Sequence, residues 1–256
     1  MRATSLIGIG LQAYLRKRRR LLDDREYWRA NTARLQRLQL RRLLNTASRT
    51  VFGRAHDFER IGRIPGEEML EAYRAATPIA DWYAFKDTIT RMREGGEPDV
   101  LWPGKVMDFA QTSGTTAGDK FIPVSKAMLR SNMRASLDIF AHLKRFGVPT
   151  SRLFGGKCLF LGGSSDLATN EHGVRTGDLS GIVTPLIRWP LSAIYAPGKE
   201  IALMSHWPSK IDAMARACID MDMRMVSGMP SWGIVLFERV IQLDAERRGG
   251  ERRTIR

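Results

Sequence analysis

The sequence has 256 residues, of which 43% are hydrophobic and 27% are charged. This composition is typical of a soluble globular protein and excludes wholesale disorder. The formal net charge of +14 is unevenly placed, because residues 1–60 contain 15 Lys and Arg against 5 Asp and Glu. We interpret this excess as the solvated surface of N-terminal helices, with contact to RNA, DNA or anionic lipid as the alternative.

The N-terminal segment does not have the charge order of a signal peptide. The apolar residues Leu6–Leu11 are followed, rather than preceded, by the basic run Arg16–Arg20. The apolar runs are too short to cross a bilayer, so no transmembrane segment is predicted. Because the two cysteines, Cys158 and Cys218, fit a reducing compartment, we predict a cytoplasmic protein.

Residues 1–95 are predicted to form an N-terminal helical region. Apolar residues at intervals of three and four indicate one helix face at Leu40, Leu44, Ala47 and Val51. Asp81 is predicted to cap a later helix that ends at Gly95-Gly96. The apolar face of that helix consists of Trp82, Phe85, Ile89 and Met92. Phe52–Arg54 and Ile64–Gly66 are predicted to be turns.

Residues 96–256 are predicted to be part of an α/β domain that is continuous with the helical region. Strands are predicted at Val106–Ala110, Lys157–Leu161 and Met223–Val226, and residues 164–207 are predicted to be irregular with short strands. Helices are predicted from Ser125 to Gly147, from the capping residue Ser209 to Met221, and from about Ser231 to Arg247. This alternation predicts an α/β fold class: a helical N-terminal region followed by part of a mixed β-sheet domain with packed helices.

The segment Thr112–Lys120 reads Thr-Ser-Gly-Thr-Thr-Ala-Gly-Asp-Lys and follows a predicted strand. Glycines let backbone N–H groups approach an anion, hydroxyls add donors, and a lysine adds positive charge. The segment is not a Walker A loop, because its lysine follows Asp119 rather than glycine and no helix follows directly. The composition alone leaves a ligand-free turn as the alternative.

The order of these residues resembles the phosphate loop of the acyl-adenylate-forming superfamily. Its continuation, Lys120-Phe-Ile-Pro-Val-Ser, resembles the auxin-responsive Gretchen Hagen family of acyl acid amido synthetases. The resemblance covers roughly residues 40–256. It also includes Thr50-Val-Phe-Gly-Arg-Ala-His, Ala76-Thr-Pro-Ile, Glu97-Pro-Asp-Val-Leu-Trp-Pro-Gly, Gly155-Gly-Lys-Cys-Leu-Phe-Leu-Gly-Gly-Ser and Ser227-Gly-Met-Pro-Ser-Trp.

This resemblance implies a partial adenylate-forming large domain and an acid–amino acid ligase activity. The expected reaction activates a carboxylic acid with ATP and Mg²⁺ as an acyl-adenylate, which an amino acid then converts to an amide. Lys120 is the implied catalytic residue, because its charge would stabilise the phosphates. The other implied phosphate-binding residues are Thr112, Ser113, Gly114, Thr115, Thr116 and Gly118.

Two features depart from the family pattern. Only Asp119 separates the last loop glycine from Lys120, where family members commonly have two residues. The family's later nucleotide motifs and small C-terminal domain have no counterpart before Arg256, so a truncated member is expected. Two alternatives stay open: a non-catalytic remnant that binds nucleotide or acid, and a basic adaptor that binds membranes or nucleic acid.

Met229 and Trp232 follow a predicted strand, in the position where ligands bind in α/β proteins. They are candidates for an acyl-substrate pocket, with packing in the core as the alternative. The four histidines are dispersed and no cysteine pair has zinc-ligand spacing, so no metal site is predicted. The sequence also lacks the Gly-x-Ser-x-Gly pattern of a serine hydrolase.

Overall fold

The computed structural model describes residues 13–16, 18–19, 23–112, 120–163, 166–189 and 191–250. Helices and strands combine in a mixed α/β architecture, which confirms the predicted fold class. Among the described residues, an N-terminal unit draws on Arg20–Met133 and Ala168–Thr176. A C-terminal unit draws on Met1–Arg19, Arg134–Leu167 and Gly177–Arg256. The domain boundary expected at residue 95 stays a prediction.

The helices are, in chain order, α1 (Arg25–Ala47), α2 (Val51–Ala55), α3 (Phe58–Arg63), α4 (Glu68–Ala76), α5 (Lys86–Arg93), α6 (Lys126–His142), α7 (Thr150–Leu153), α8 (Leu179–Val183), α9 (Leu191–Ile194), α10 (Lys199–Ala202), α11 (Trp207–Cys218) and α12 (Pro230–Arg247). Short 3-10 helices occupy Trp82–Phe85, Leu143–Phe146 and Thr184–Leu186. No helix in the described ranges is long and apolar enough to cross a membrane. The cytoplasmic location stays a prediction.

The strands are β1 (Asp108–Gln111), β2 (Phe121–Pro123), β3 (Lys157–Leu161), β4 (Leu167–Thr169), β5 (Arg175–Gly177), β6 (Tyr195–Ala196) and β7 (Met223–Gly228). They form a four-stranded sheet in the order β2-β1-β5-β4 and a three-stranded sheet in the order β6-β3-β7. Strand β1 pairs antiparallel with β2, whereas β3 pairs parallel with both β6 and β7. The two strand directions together make the architecture mixed.

The N-terminal helices pack around a small apolar cluster. Leu44 and Ala47, from the predicted apolar face of α1, are buried there with Phe58, Ile61 and Met69. Full burial of each large side chain stabilises the fold by about 1.5–3 kcal/mol. The face ends at Ala47, because Val51 begins the separate helix α2.

The turn predicted at Phe52–Arg54 is wrong, because these residues lie within α2. The buried side chain of Thr50 caps this helix by accepting the backbone N–H of Gly53 at 2.9 Å. A Cβ at Gly53 would lie only 2.0 Å from the carbonyl oxygen of Ala47. The glycine therefore permits a close approach between α2 and the end of α1, which the sequence pattern does not distinguish from a turn.

Asp81 caps the segment before α5 as predicted, since its carboxylate accepts the backbone N–H groups of Tyr83 and Ala84. Strand β3 has the predicted bounds. The predicted start of α11 is wrong: His206 caps the helix and Ser209 lies in its first turn. Pro208 explains the earlier start, because proline is favoured in the first turn of a helix. The backbone N–H that proline lacks would have no acceptor within the helix at that position.

The three-stranded parallel sheet packs against α11 and α12 in the C-terminal unit. Strand β3 contributes Leu159 and Leu161 to the shared core, α11 contributes Met214, and α12 contributes Leu236. The remaining buried members of this cluster are Ala196, Ile211, Ala215, Cys218 and Leu243. The core therefore covers one face of the central strand and fixes the position of its carboxyl end.

We predict that the thiols of Cys158 and Cys218 do not react in the folded protein. Both side chains are buried, and desolvation raises the pKa of each to about 11. At pH 8 about one thiol in a thousand is then ionised, and the thiolate is the reactive form. A chromogenic disulfide reagent should label both cysteines only in denaturant, whereas Ser231→Cys, at an exposed position, should react at once. Rapid labelling of the native wild-type protein would contradict the prediction.

We predict opposite effects for two glycine-to-alanine substitutions. Gly53→Ala should destabilise the fold by about 1–3 kcal/mol, because its methyl group meets the Ala47 backbone. Gly233→Ala should stabilise it by about 0.5–1 kcal/mol, because this helical site in α12 has ordinary contacts no closer than 3.7 Å. Urea denaturation of the two variants tests this, and an equal effect of both would refute the packing argument.

Candidate functional site

The candidate phosphate-binding loop connects β1 to β2, and the antiparallel pairing of these strands holds its ends together. Gln111 lies opposite Phe121, and the backbone N–H of Thr112 donates to the carbonyl of Lys120 at 2.9 Å. Of the predicted phosphate-binding residues, the following lie outside the described residues: Ser113, Gly114, Thr115, Thr116 and Gly118. The described structure therefore defines the base of the loop.

The base of the loop is anchored in the interior of the N-terminal unit. Phe109 of β1 is fully buried, and its apolar cluster consists of Ile89, Met92, Val100, Val106 and Val174. The guanidinium of Arg175 donates to both carboxylate oxygens of Asp108, at 2.7 and 3.0 Å. Two such parallel bonds fix orientation as well as distance. Strand β1 is thus held by burial and by β5.

Strand β2 is held by the helical segment that precedes the sheet. The indole Nε1 of Trp82 donates to the carbonyl of Phe121 at 3.1 Å. The guanidinium carbon of Arg93, in α5, lies 3.8 Å from the centre of the Phe121 ring. This cation–π contact supports the far strand of the hairpin, so both ends of the loop start from fixed positions.

Among the described residues, Lys120 contacts the aromatic ring of Tyr83. Its Nζ lies 5.0 Å from the centre of the Tyr83 ring, which is within the range of a cation–π interaction. The residue is half-buried and directly precedes β2. Because lysine has a long flexible stem, its ammonium can exchange such a ring contact for an anion nearby.

The two candidates for an acyl pocket lie in the C-terminal unit, where β7 leads into α12. Met229 is 56% exposed, whereas Trp232 is half-buried in the first turn of the helix. The Trp232 ring packs against that of Trp207 with the centroids 5.1 Å apart. Trp232 therefore combines a packing role with partial exposure, while Met229 remains open to solvent.

Glycines at the ends of β3 and β7 allow their backbones and neighbouring side chains to approach closely. Gly228 ends β7 with φ at 152°, and a Cβ there would lie 2.7 Å from the carbonyl oxygen of Leu161. Beyond β3, a Cβ at Gly163 would lie 2.5 Å from Oδ2 of Asp178 and 3.2 Å from the Trp232 ring. We call Gly162, Gly163 and Gly228 the strand-end glycines. Gly228 thus approaches the end of β3, and Gly163 lies beside Trp232.

Sequence reasoning missed the buried lysine beside these glycines. Lys210 of α11 is 1% exposed, and its ammonium donates to the carbonyl of Gly163 at 2.7 Å. Burial lowers the pKa of Lys210, and the nearby charge of Asp178 opposes that shift. A signal was present, since Lys210 lies three residues after Trp207 and four before Met214, on the apolar face of the helix.

Within the described ranges, no group of three or more His, Cys, Asp or Glu residues is placed to hold a metal ion. His56 instead stacks on Phe52, with ring centroids 3.9 Å apart.

The chain matches the model of the GH3 family N-terminal domain over residues 22–188. Its fold is similar to a solved structure described as a GH3.15 acyl acid amido synthetase, with a TM-score of 0.64 and 15% sequence identity. That similarity covers 85% of this chain and 37% of the other, so the chain spans well under half of its relative's length. At this identity it establishes the fold alone. No curated protein matches the sequence significantly.

Proposed function

Because the chain belongs to the GH3 family, we propose that it takes part in ATP-dependent ligation of a carboxylic acid to an amino acid. In this reaction the acid carboxylate attacks the α-phosphorus of ATP, forming an acyl-adenylate and releasing pyrophosphate. The amine of the amino acid then attacks the acyl carbon, forming an amide and releasing AMP. The matched family domain contains the loop at residues 112–120, and this observation carries the proposal.

The loop has the chemistry that a polyphosphate requires. Ser113, Thr115 and Thr116 offer hydroxyl donors, while Gly114 and Gly118 let backbone N–H groups face an anion. Charge-assisted bonds to phosphate are stronger than bonds between neutral groups. The anchored strands β1 and β2 support the proposal, because rigid ends lower the entropy lost when a ligand binds.

Lys120 is proposed to neutralise charge on the β- and γ-phosphates. Attack by a carboxylate on a triphosphate brings two anions together, so positive charge at this point lowers the barrier. The ammonium now lies over Tyr83, and binding of ATP would draw it from that ring towards the loop. Mg²⁺ would bind to the phosphate oxygens and supply further positive charge.

Met229 and Trp232 are proposed to contact the acyl group of the acid. Both residues follow β7, at the carboxyl end of a parallel sheet, where ligands commonly bind in α/β folds. An exposed methionine and a half-buried tryptophan suit an apolar substrate, since one side chain is adaptable and the other presents a large flat surface.

The first test measures acid-dependent exchange of pyrophosphate into ATP, using the full reading frame and a panel of carboxylic acids. We predict that Lys120→Ala lowers this exchange by about a hundredfold, the usual consequence of removing one stabilising group at a developing charge. Direct titration of ATP and Mg²⁺ should reveal weaker nucleotide binding by the same variant.

Lys126→Ala is the matched control, because Lys126 lies near the loop at the start of α6 and is exposed. It should leave both measurements near the wild-type values. Exchange that is insensitive to Lys120→Ala would refute the proposed role of this lysine. ATP binding without exchange by any acid would instead favour a nucleotide-binding remnant over an active ligase.

A further inference from the structure

Lys210 places a charged side chain at a buried position on the apolar face of α11, where an apolar side chain is expected. Its side chain is almost completely buried beside Ile211 and Met214, two members of the C-terminal core. Removing an ammonium from water costs free energy unless partners compensate for the lost hydration. A methionine would fill similar space without that cost, so the interactions of the ammonium are the feature to explain.

The ammonium of Lys210 is directed to the carboxyl end of the central strand of the parallel sheet. It donates to the carbonyl of Gly163 at 2.7 Å, two residues beyond the end of β3. The bond therefore connects α11 to the residues that directly follow β3. Lys157, at the other end of β3, makes a bond of the same type to the carbonyl of Ala193 at 2.9 Å.

Asp178 also lies close to Gly163. It precedes α8, but its carboxylate does not cap that helix. Instead Oδ2 lies so near Gly163 that a Cβ there would be 2.5 Å away. Its negative charge also favours the ammonium form of Lys210. The backbone of Gly163 is thus enclosed between a bonded cation and a carboxylate.

Gly163 also lies close to Trp232. A Cβ at Gly163 would lie 3.2 Å from Cη2 of that indole, so the glycine backbone and the ring are close neighbours. Trp207, the first residue of α11, also packs against the Trp232 ring. A displacement of Gly163 would therefore change the space available beside Trp232.

We propose that Lys210, together with Asp178, is a positioning residue that sets the shape of the acid-binding pocket through Gly163 and Trp232. This inference rests on the proposed function, because it needs a carboxylic acid to bind beside Trp232. Lys210 itself does not touch the acid. Its effect is expected on affinity for the acid and on discrimination between acids of different size.

The test compares Lys210→Met and Lys210→Arg with the wild-type chain by calorimetric titration of small aromatic and aliphatic carboxylic acids. We predict that Lys210→Met weakens binding of the preferred acid about tenfold. It should also reduce the difference in affinity between the preferred acid and the other acids. Its affinity for ATP and Mg²⁺ should change less than twofold. Lys210→Arg should restore part of the acid affinity, because it retains the charge and a donor.

Lys157→Met is the matched control, since it removes a lysine–carbonyl bond from the opposite end of the same strand. It should lower the melting temperature without altering acid affinity. If Lys210→Met does not fold, Asp178→Asn and Gly163→Ala provide the same comparison, with the same expected loss of acid discrimination.

The outcomes separate the two proposals. Folded Lys210 and Asp178 variants with wild-type affinity and wild-type discrimination would overturn the positioning role while leaving the ligase proposal intact. Equal losses of acid affinity in Lys157→Met and Lys210→Met would also overturn the positioning role, because such losses would reflect reduced stability of the fold alone. A wild-type chain that binds none of the acids would overturn the proposed acid site, and the positioning role with it.

Discussion

Parallel pairing of β3 with a strand on each side is the constraint on which the C-terminal unit depends. Parallel neighbours end at the same edge of a sheet, so the residues after β3, β6 and β7 come together although the chain separates them widely. Helices α11 and α12 cover the sheet and bury Leu159, Met214 and Leu236. This core determines where Gly163 and Trp232 lie, and hence whether a pocket can form beside them.

In the N-terminal unit, the strands on either side of a glycine-rich loop are anchored. Glycine has weak conformational preferences, so the position of the loop depends on these strands. Strand β1 is anchored by burial of Phe109 and by the ion pair between Asp108 and Arg175. Trp82 and Arg93 support the opposite strand through Phe121. A loop that binds phosphate through its backbone benefits from such a base, because fewer of its torsions must be fixed when the ligand arrives.

The sequence predictions succeeded where the signal lies between residues that are close along the chain. The cap at Asp81 and the bounds of β3 are examples, because a cap acts over three residues and an apolar strand is a continuous run. They failed where one residue type serves two purposes. Gly53 allows close helix packing rather than forming the predicted turn, and Pro208 moves the helix start to Trp207, ahead of the predicted cap Ser209.

By itself the sequence determined the fold class, strands β1, β3 and β7, several of the longer helices, and the family, because loop chemistry and local periodicity depend on residues that are close along the chain. Tertiary structure alone decided which charged groups are buried and what they contact. Lys210 and Gly163 are 47 residues apart, and Lys120 lies over Tyr83 only because β2 packs against the preceding helical segment. The physical reason is that burial and contact between distant residues depend on how whole elements pack, and no local pattern contains that information.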